Sequence, residues 1–320
     1  MNKKLLGLAV AAVFASGTAV AGEVYSSDAA TVSLSGEVKA TGANISTSDN
    51  SKDENLAVST SAKLSVSATH QLTDAVELGA SFDVKDDSDV FQDVKIYGSG
   101  DFGKLTLGAT GNSFGVTEKA KVGEGDSLYA VSQGGVDDNG VRYEKSFGDV
   151  AFSANYATQK DSKKDSAYAT SLNYSGDSYN VGVAYGSDGD DANTVGVAAD
   201  VSFGDVTVSA GYINFENVGS LSANENSIDL DDKFGKNDGK TYALSLKYVM
   251  GDTTLFASAQ KADADTEKKG QVEAQTVYAG ATYAVTSQFS VFGVYQTGEL
   301  EESGKTVDSD KIKLGAKFTF

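Results

Sequence analysis

Taken at every second position, most of this chain sorts into two residue sets. In SLSGEVKA, Leu34 and Val38 fall on one face and Glu37 and Lys39 on the other. In LAVSTSAKLSVSA, Leu56, Val58, Leu64 and Val66 oppose Ser59, Ser61, Lys63 and Ser65. In TYALSLKY, Tyr242, Leu244, Leu246 and Tyr248 oppose Ser245 and Lys247. A period of two is a strand with one apolar and one wet face. No helical stripe of useful length appears. The alternation and its Gly/Asp/Asn/Ser breaks predict 16 strands, at roughly 31–41, 56–70, 75–85, 89–99, 102–110, 139–146, 149–159, 166–175, 178–187, 192–202, 205–216, 240–249, 252–262, 271–285, 287–298 and 308–320. Thirty-five Gly and no Pro suit many strands joined by tight turns.

The connections alternate as well. After every even-numbered strand through the fourteenth the turn is tiny: QLTD, GSGD, FGD, SGD, FGD, MGD and TS. SFGDV occurs twice, at 146–150 and 202–206. The other connections hold the longest segments, 42–55, 111–138, 217–239, 263–270 and 299–307. One short end and one long end is the plan of an outer-membrane barrel, with the short end periplasmic. A β-sandwich also uses short strands and turns, but its apolar faces must fill a core with large residues. Here those faces are Val, Ala, Leu and Tyr, and Tyr at both ends of an aliphatic face is the spacing of interfacial aromatic belts. In hydrocarbon every backbone N–H and C=O needs an internal partner, so strands cross only as a closed barrel. The expected fold is all-β, a transmembrane antiparallel β-barrel of 16 strands, wide enough for an aqueous lumen.

The N-terminus supplies the address. Lys3 and Lys4 precede an apolar run from Leu5 to Ala15, and Ala19-Val20-Ala21 precedes Gly22. This is the pattern of a secretory signal peptide, and its run is too short to span a membrane. The expected division is a signal peptide at 1–21, cleaved on export, and a single barrel domain at 22–320 in the outer membrane.

Composition narrows the chemistry. A formal charge of -19 speaks against nucleic acid, whose phosphates attract basic surfaces. Fifteen Tyr and fifteen Phe argue against a disordered polyanion. With no Cys there is no thiol catalysis. The sole histidine, His70, stands beside Gln71 next to a short turn, and no G-x-S-x-G accompanies it, so a solvent-exposed turn histidine is expected and no enzyme. SDGDDANT (187–194) and SIDLDDKFGKNDGK (227–240) are rich in oxygen donors but miss the D-x-D-x-D-G spacing of a Ca²⁺ loop. They read as solvated external loops. No metal site and no cofactor are expected, and bridging of lipopolysaccharide phosphates by divalent cations stays open.

Three stretches carry a family resemblance: DFGKLTLGATGNSFG at 101–115, NGVRYEKSFGDVAFSANY at 139–156, and the closing KIKLGAKFTF. Over its whole mature length the chain resembles the general diffusion porins of the Gram-negative outer membrane. The resemblance implies a water-filled channel for passive diffusion of small hydrophilic solutes and ions, with the third long connection, 111–138, folded into the lumen. It implies that acids on this loop face basic residues on the barrel wall. VGEGDS resembles the acidic tip, which points to Glu124 and Asp126, then Glu118. It also implies a homotrimer embedded in outer-membrane lipid and lipopolysaccharide. The last strand, ending at Phe320, resembles the signal that the barrel-assembly machinery reads.

The opposing wall follows from parity. With the apolar face outward, Lys39, Lys63, Lys85, Arg142, Lys313 and Lys317 point inward. The last strand closes beside the first, so five of these lysines fall on four consecutive strands. A basic arc facing acids sets a transverse field across the lumen. Solvated charge is the alternative for each acid, and a merely wetted wall the alternative for each lysine. Arg142, the only Arg, occupies a position that is basic in the family. Two departures point to a wider or more weakly polarised constriction. Ala109 stands where many relatives carry Arg, and the usual Pro-containing tip is absent. The second external connection, near Asp86–Ser88, is short where many relatives latch onto a neighbouring subunit. The overall charge and acid-rich loops lead to an expected mild cation preference. The competing reading is a non-conducting surface protein, an adhesin or receptor, displaying 111–138 and 217–239 on the same barrel. In the terminal strand Ile312, Leu314, Ala316, Phe318 and Phe320 are expected to face lipid, and Lys311, Lys313 and Lys317 water.

Overall fold

The computed structural model describes residues 22–27, 29–49, 54–86, 91–126, 139–157, 166–189, 191–218, 237–267, 270–302 and 304–320. Their strands are β1 (Gly22–Ser26), β2 (Ala30–Thr47), β3 (Glu54–Thr73), β4 (Val76–Lys85), β5 (Gln92–Gly100) and β6 (Gly103–Ala109). After a short 3₁₀-helix (Ser113–Ala120) come β7 (Asn139–Phe147), β8 (Val150–Ala157), β9 (Ala167–Ser175), β10 (Tyr179–Gly189) and β11 (Ala192–Phe203). The remainder are β12 (Val206–Val218), β13 (Asn237–Met250), β14 (Thr253–Thr266), β15 (Gly270–Ala284), β16 (Phe289–Glu302) and β17 (Lys305–Thr319). The signal-peptide region and most of 217–239 lie outside the described residues.

From β2 to β17 each strand pairs antiparallel with the next, and β17 returns to β2 through Thr319↔Glu37 to Ser309↔Thr47. The ring therefore has sixteen members and no open edge, which satisfies the backbone without water. Several strands outrun their expected bounds. β2, predicted over 31–41, extends over 18 residues because alternation persists through the Gly42 region.

β1 is a strand the sequence pattern did not predict. It pairs with β2 from Gly22↔Leu34 to Ser26↔Thr31, along the part of that edge where β17 has already ended. Phe320 makes the last β17-side contacts, with its N–H donating to Gly36 O at 3.0 Å and its carbonyl accepting from Gly36 N at 2.7 Å. β17 and β1 thus occupy one line along β2, end to end.

The outward face is apolar. Leu172, Val183, Val195, Leu244, Leu246, Val277 and Leu314 are exposed on it. Exposed aromatics flank this band. Phe147, Tyr179, Phe203, Tyr248 and Tyr283 lie near the short turns, and Tyr156, Tyr168, Tyr242 and Tyr295 toward the other end. Amphipathic rings at both rims match the two interfaces of a bilayer.

One expectation for this face is refined and one is corrected. Phe320 keeps the outward parity of Phe318, but its ring packs over Gly36 of the same face, where a Cβ would overlap it, and is only 9% exposed. His70 is not in a turn; it sits within β3 opposite Ala30 and Leu78, against an apolar groove of about 700 Å³.

Candidate functional site

The segment that leaves β6 is fixed first at its stem. Gly111 takes a positive φ of 65°, a conformation that a side chain resists. The Asn112 side chain accepts from Phe114 N at 2.8 Å and caps the 3₁₀-helix. Ser113 N donates to Asn155 Oδ1 at 2.9 Å, and Ser113 Oγ lies 2.6 Å from Ser153 Oγ. Arg142 joins these groups. Its Nε donates to Ser153 Oγ at 3.0 Å, one terminal nitrogen to Thr110 O at 3.1 Å, and the other pairs with Glu144 at 2.9 Å. The fixed fork of a guanidinium suits three partners in three directions.

The helix then lies on the inner faces of β8 to β13. Phe114 and Thr117 rest over Gly196, and the Val116 carbonyl over Gly182, so these two glycines make room for it. Lys119 donates to Asn180 Oδ1 at 2.8 Å and stands 3.8 Å from Asp200. Burial pushes the Lys119 ammonium below its ordinary value, and Asp200 offsets this only in part.

Beyond the helix the tip, Val122 to Asp126, reaches the far side of the ring. Glu124 pairs with Lys39 of β2 at 2.7 Å and Lys317 of β17 at 3.6 Å. Asp126 pairs with Lys311 and Lys313 of β17, both at 2.8 Å. Lys313 also donates to Glu124 O at 2.9 Å, and Asp126 N donates to Gln296 Oε1 at 3.0 Å. Burial alone would raise both carboxyls. The Lys39 contact and the charges of Lys317 and Lys313 outweigh burial at Glu124, and Lys311 and Lys313 do so at Asp126, so both are held below their usual range.

The predicted residues therefore divide. Glu124, Asp126, Lys39, Lys313 and Lys317 come together. Glu118 does not join them; it pairs with Lys121 of its own segment at 2.8 Å. Lys63 and Lys85 lie side by side on β3 and β4, as parity requires, but pair with wall carboxylates, Asp83 at 2.6 Å and Asp93 at 3.2 Å. Arg142 holds the stem rather than facing the tip.

Lys311, on the wet face of the last strand but not singled out, is one of the two direct partners of Asp126; their side chains are 8% and 10% exposed. An aromatic floor under the tip also went unseen. Phe256, Tyr278 and Phe292 are buried on inner faces, with Val122 packed against them. Their signal was present as consecutive apolar pairs, Leu255-Phe256, Val277-Tyr278 and Val291-Phe292, where strict alternation allows only one.

A closed ring with an apolar outer face and a charged segment held within invites comparison with known channels. A family model described as Gram-negative porin matches residues 7–303. The chain belongs to the Gram-negative porins. Among solved structures this porin is similar to OmpT of Vibrio cholerae in its in-vitro folded trimer form, at 16% identity and a TM-score of 0.71, covering 92% of this chain and 100% of that one. Salmonella typhi OmpF in complex with daunomycin gives 16% identity and 0.72, covering 93% and 100%. A mutant of the Rh. blastica porin gives 18% and 0.66, covering 90% and 100%. At these identities the likeness speaks to the fold alone. No curated protein matches the sequence.

Proposed function

We propose that this porin is a passive diffusion channel of the outer membrane for small hydrophilic solutes and ions. In this reading segment 111–138 narrows the lumen, with Glu124 and Asp126 set against Lys39, Lys311, Lys313 and Lys317. The observation that carries it is the path of residues 110–126, which begins at Arg142 of β7 and ends on β17 and β2 inside a closed ring. A loop displayed for a partner has no need of four lysines from the wall. The wall lysines Lys63 and Lys85 border the remaining passage. In this reading Glu118, half-exposed beside Lys121, adds a charge to that passage. A porin's work needs no catalytic group, and the chain is read as non-enzymatic.

The formal charge of -19 favours cations near the mouth, and because the tip acids are already paired the preference is mild. The OmpT trimer form supports a homotrimer. Cleavage after Ala21, contact with lipid and lipopolysaccharide, and recognition of the terminal strand by the assembly machinery before Phe320 is buried complete the proposal. Purified full-length mature protein in planar bilayers tests it. Discrete conductance steps are expected, with a small cation-selective reversal potential in a KCl gradient. A folded barrel that inserts without steps overturns the channel and leaves the surface-protein reading.

A further inference from the structure

The aromatic floor has no role in pairing the tip charges, yet it sits directly under the tip. Phe256 of β14 and Tyr278 of β15 are 6.4 Å apart in an edge-on arrangement, and are 4% and 1% exposed. A Cβ at Gly123 would overlap the Phe256 ring, and one at Gly125 the Tyr278 ring. The backbone therefore touches the rings at both glycines that flank Glu124. Val122 N donates to the Tyr278 hydroxyl at 3.5 Å. Phe292 of β16 continues the floor, with the Lys39 ammonium 5.3 Å from its ring centre. Lysines on long flexible stems pull the tip toward the wall but do not fix its height, whereas close-packed rings do.

We infer that Phe256 and Tyr278, read through Gly123 and Gly125, set how far the tip stands off the wall, and so set the bore and the solute size limit. They are positioning residues; the inference rests on the channel reading above. Its signature is a pair of opposite effects. Gly125→Ala lifts the tip by about 1 Å, the difference between overlap and ordinary contact, and narrows the passage. Phe256→Leu and Tyr278→Leu lower the seat, let the lysines draw the tip closer, and widen it. Gly115→Ala is the control, since a Cβ there meets nothing within 4 Å.

The test is single-channel conductance of each full-length mature variant, with liposome swelling in neutral sugars of increasing size and circular dichroism to verify the barrel. Gly125→Ala is expected to lower conductance and the sugar cutoff, either Leu variant to raise both, and Gly115→Ala to change neither. A general loosening of structure moves all variants in one direction, and that outcome overturns the inference. Conducting wild type with no response to Gly125→Ala or Phe256→Leu also overturns it while leaving the channel intact. Silent wild type overturns the channel reading itself.

Discussion

The two sides of the ring carry the same outward pattern and opposite inward ones. From β8 round to β2 the inner face lies under segment 110–126; small and aromatic side chains there, Ser209, Ser245, Ser258, Phe256 and Tyr278, are buried, and its lysines Lys39, Lys311, Lys313 and Lys317 pair with the tip acids. From β3 to β5 the inner face carries paired charges, Lys63 with Asp83 and Lys85 with Asp93. Lys104 of β6 rests over the Tyr97 ring at 4.2 Å. The covered side is built like a core, where packing and enclosed ion pairs are decisive. The open side is built for water, where charge is decisive. Variants should therefore alter anchoring and bore on one side, and ion preference on the other.

The largest effect is expected at Asp126→Asn. It leaves Lys311 and Lys313 without their carboxylate in a site 8–13% exposed, and breaking such a pair costs about 3–5 kcal/mol. Much of that falls on the segment rather than the barrel, so open-channel noise and hydrogen exchange of 110–126 should rise while β content holds. Acid should act in the same direction. Both tip carboxyls titrate below their ordinary values, so their contribution is full above about pH 4 and is lost as pH falls through the lowered folded values. Noise measured from pH 7 down to pH 3 should grow only at the acid end, and growth near pH 6 would contradict the assignment. Arg142→Lys keeps the charge but loses the fork to Thr110 O and Ser153, at about 1–3 kcal/mol. Flickering without a shift in reversal potential is expected, whereas a pure charge selector would show no flicker. Lys85→Gln is the mildest, about 0–1 kcal/mol for a partly exposed pair. It should shift reversal potential toward cations with no change in noise.

The outward half of this structure was legible because lipid accepts only one kind of residue there. That constraint left its mark at every second position, and strand count, pairing order and closure all followed. The inward half is solvent on one side and protein on the other, and alternation does not distinguish them. Lys39 and Lys63 read alike in sequence, but only Lys39 meets the tip, because the path of 111–126 is a long-range fact. Phe256 and Tyr278 were visible only as faults in the pattern. Arg142 was correctly placed on the inner face, but its partners Thr110 and Ser153 come from two other stretches of chain, and no local spacing announces them. β1 was missed for the opposite reason: five residues are too few to establish a period.

That small strand has a topological consequence. Phe320 is bonded to Gly36 and Gly22 stands opposite Leu34, so one position, across from Ser35, separates the two ends along β2. In the proposed mature chain, cleaved before Gly22, the polypeptide considered as a circle has a single nick there. A residue or two of linker would seal it, and the nick could be moved to the Gly251–Asp252 turn without reordering any neighbour in the ring.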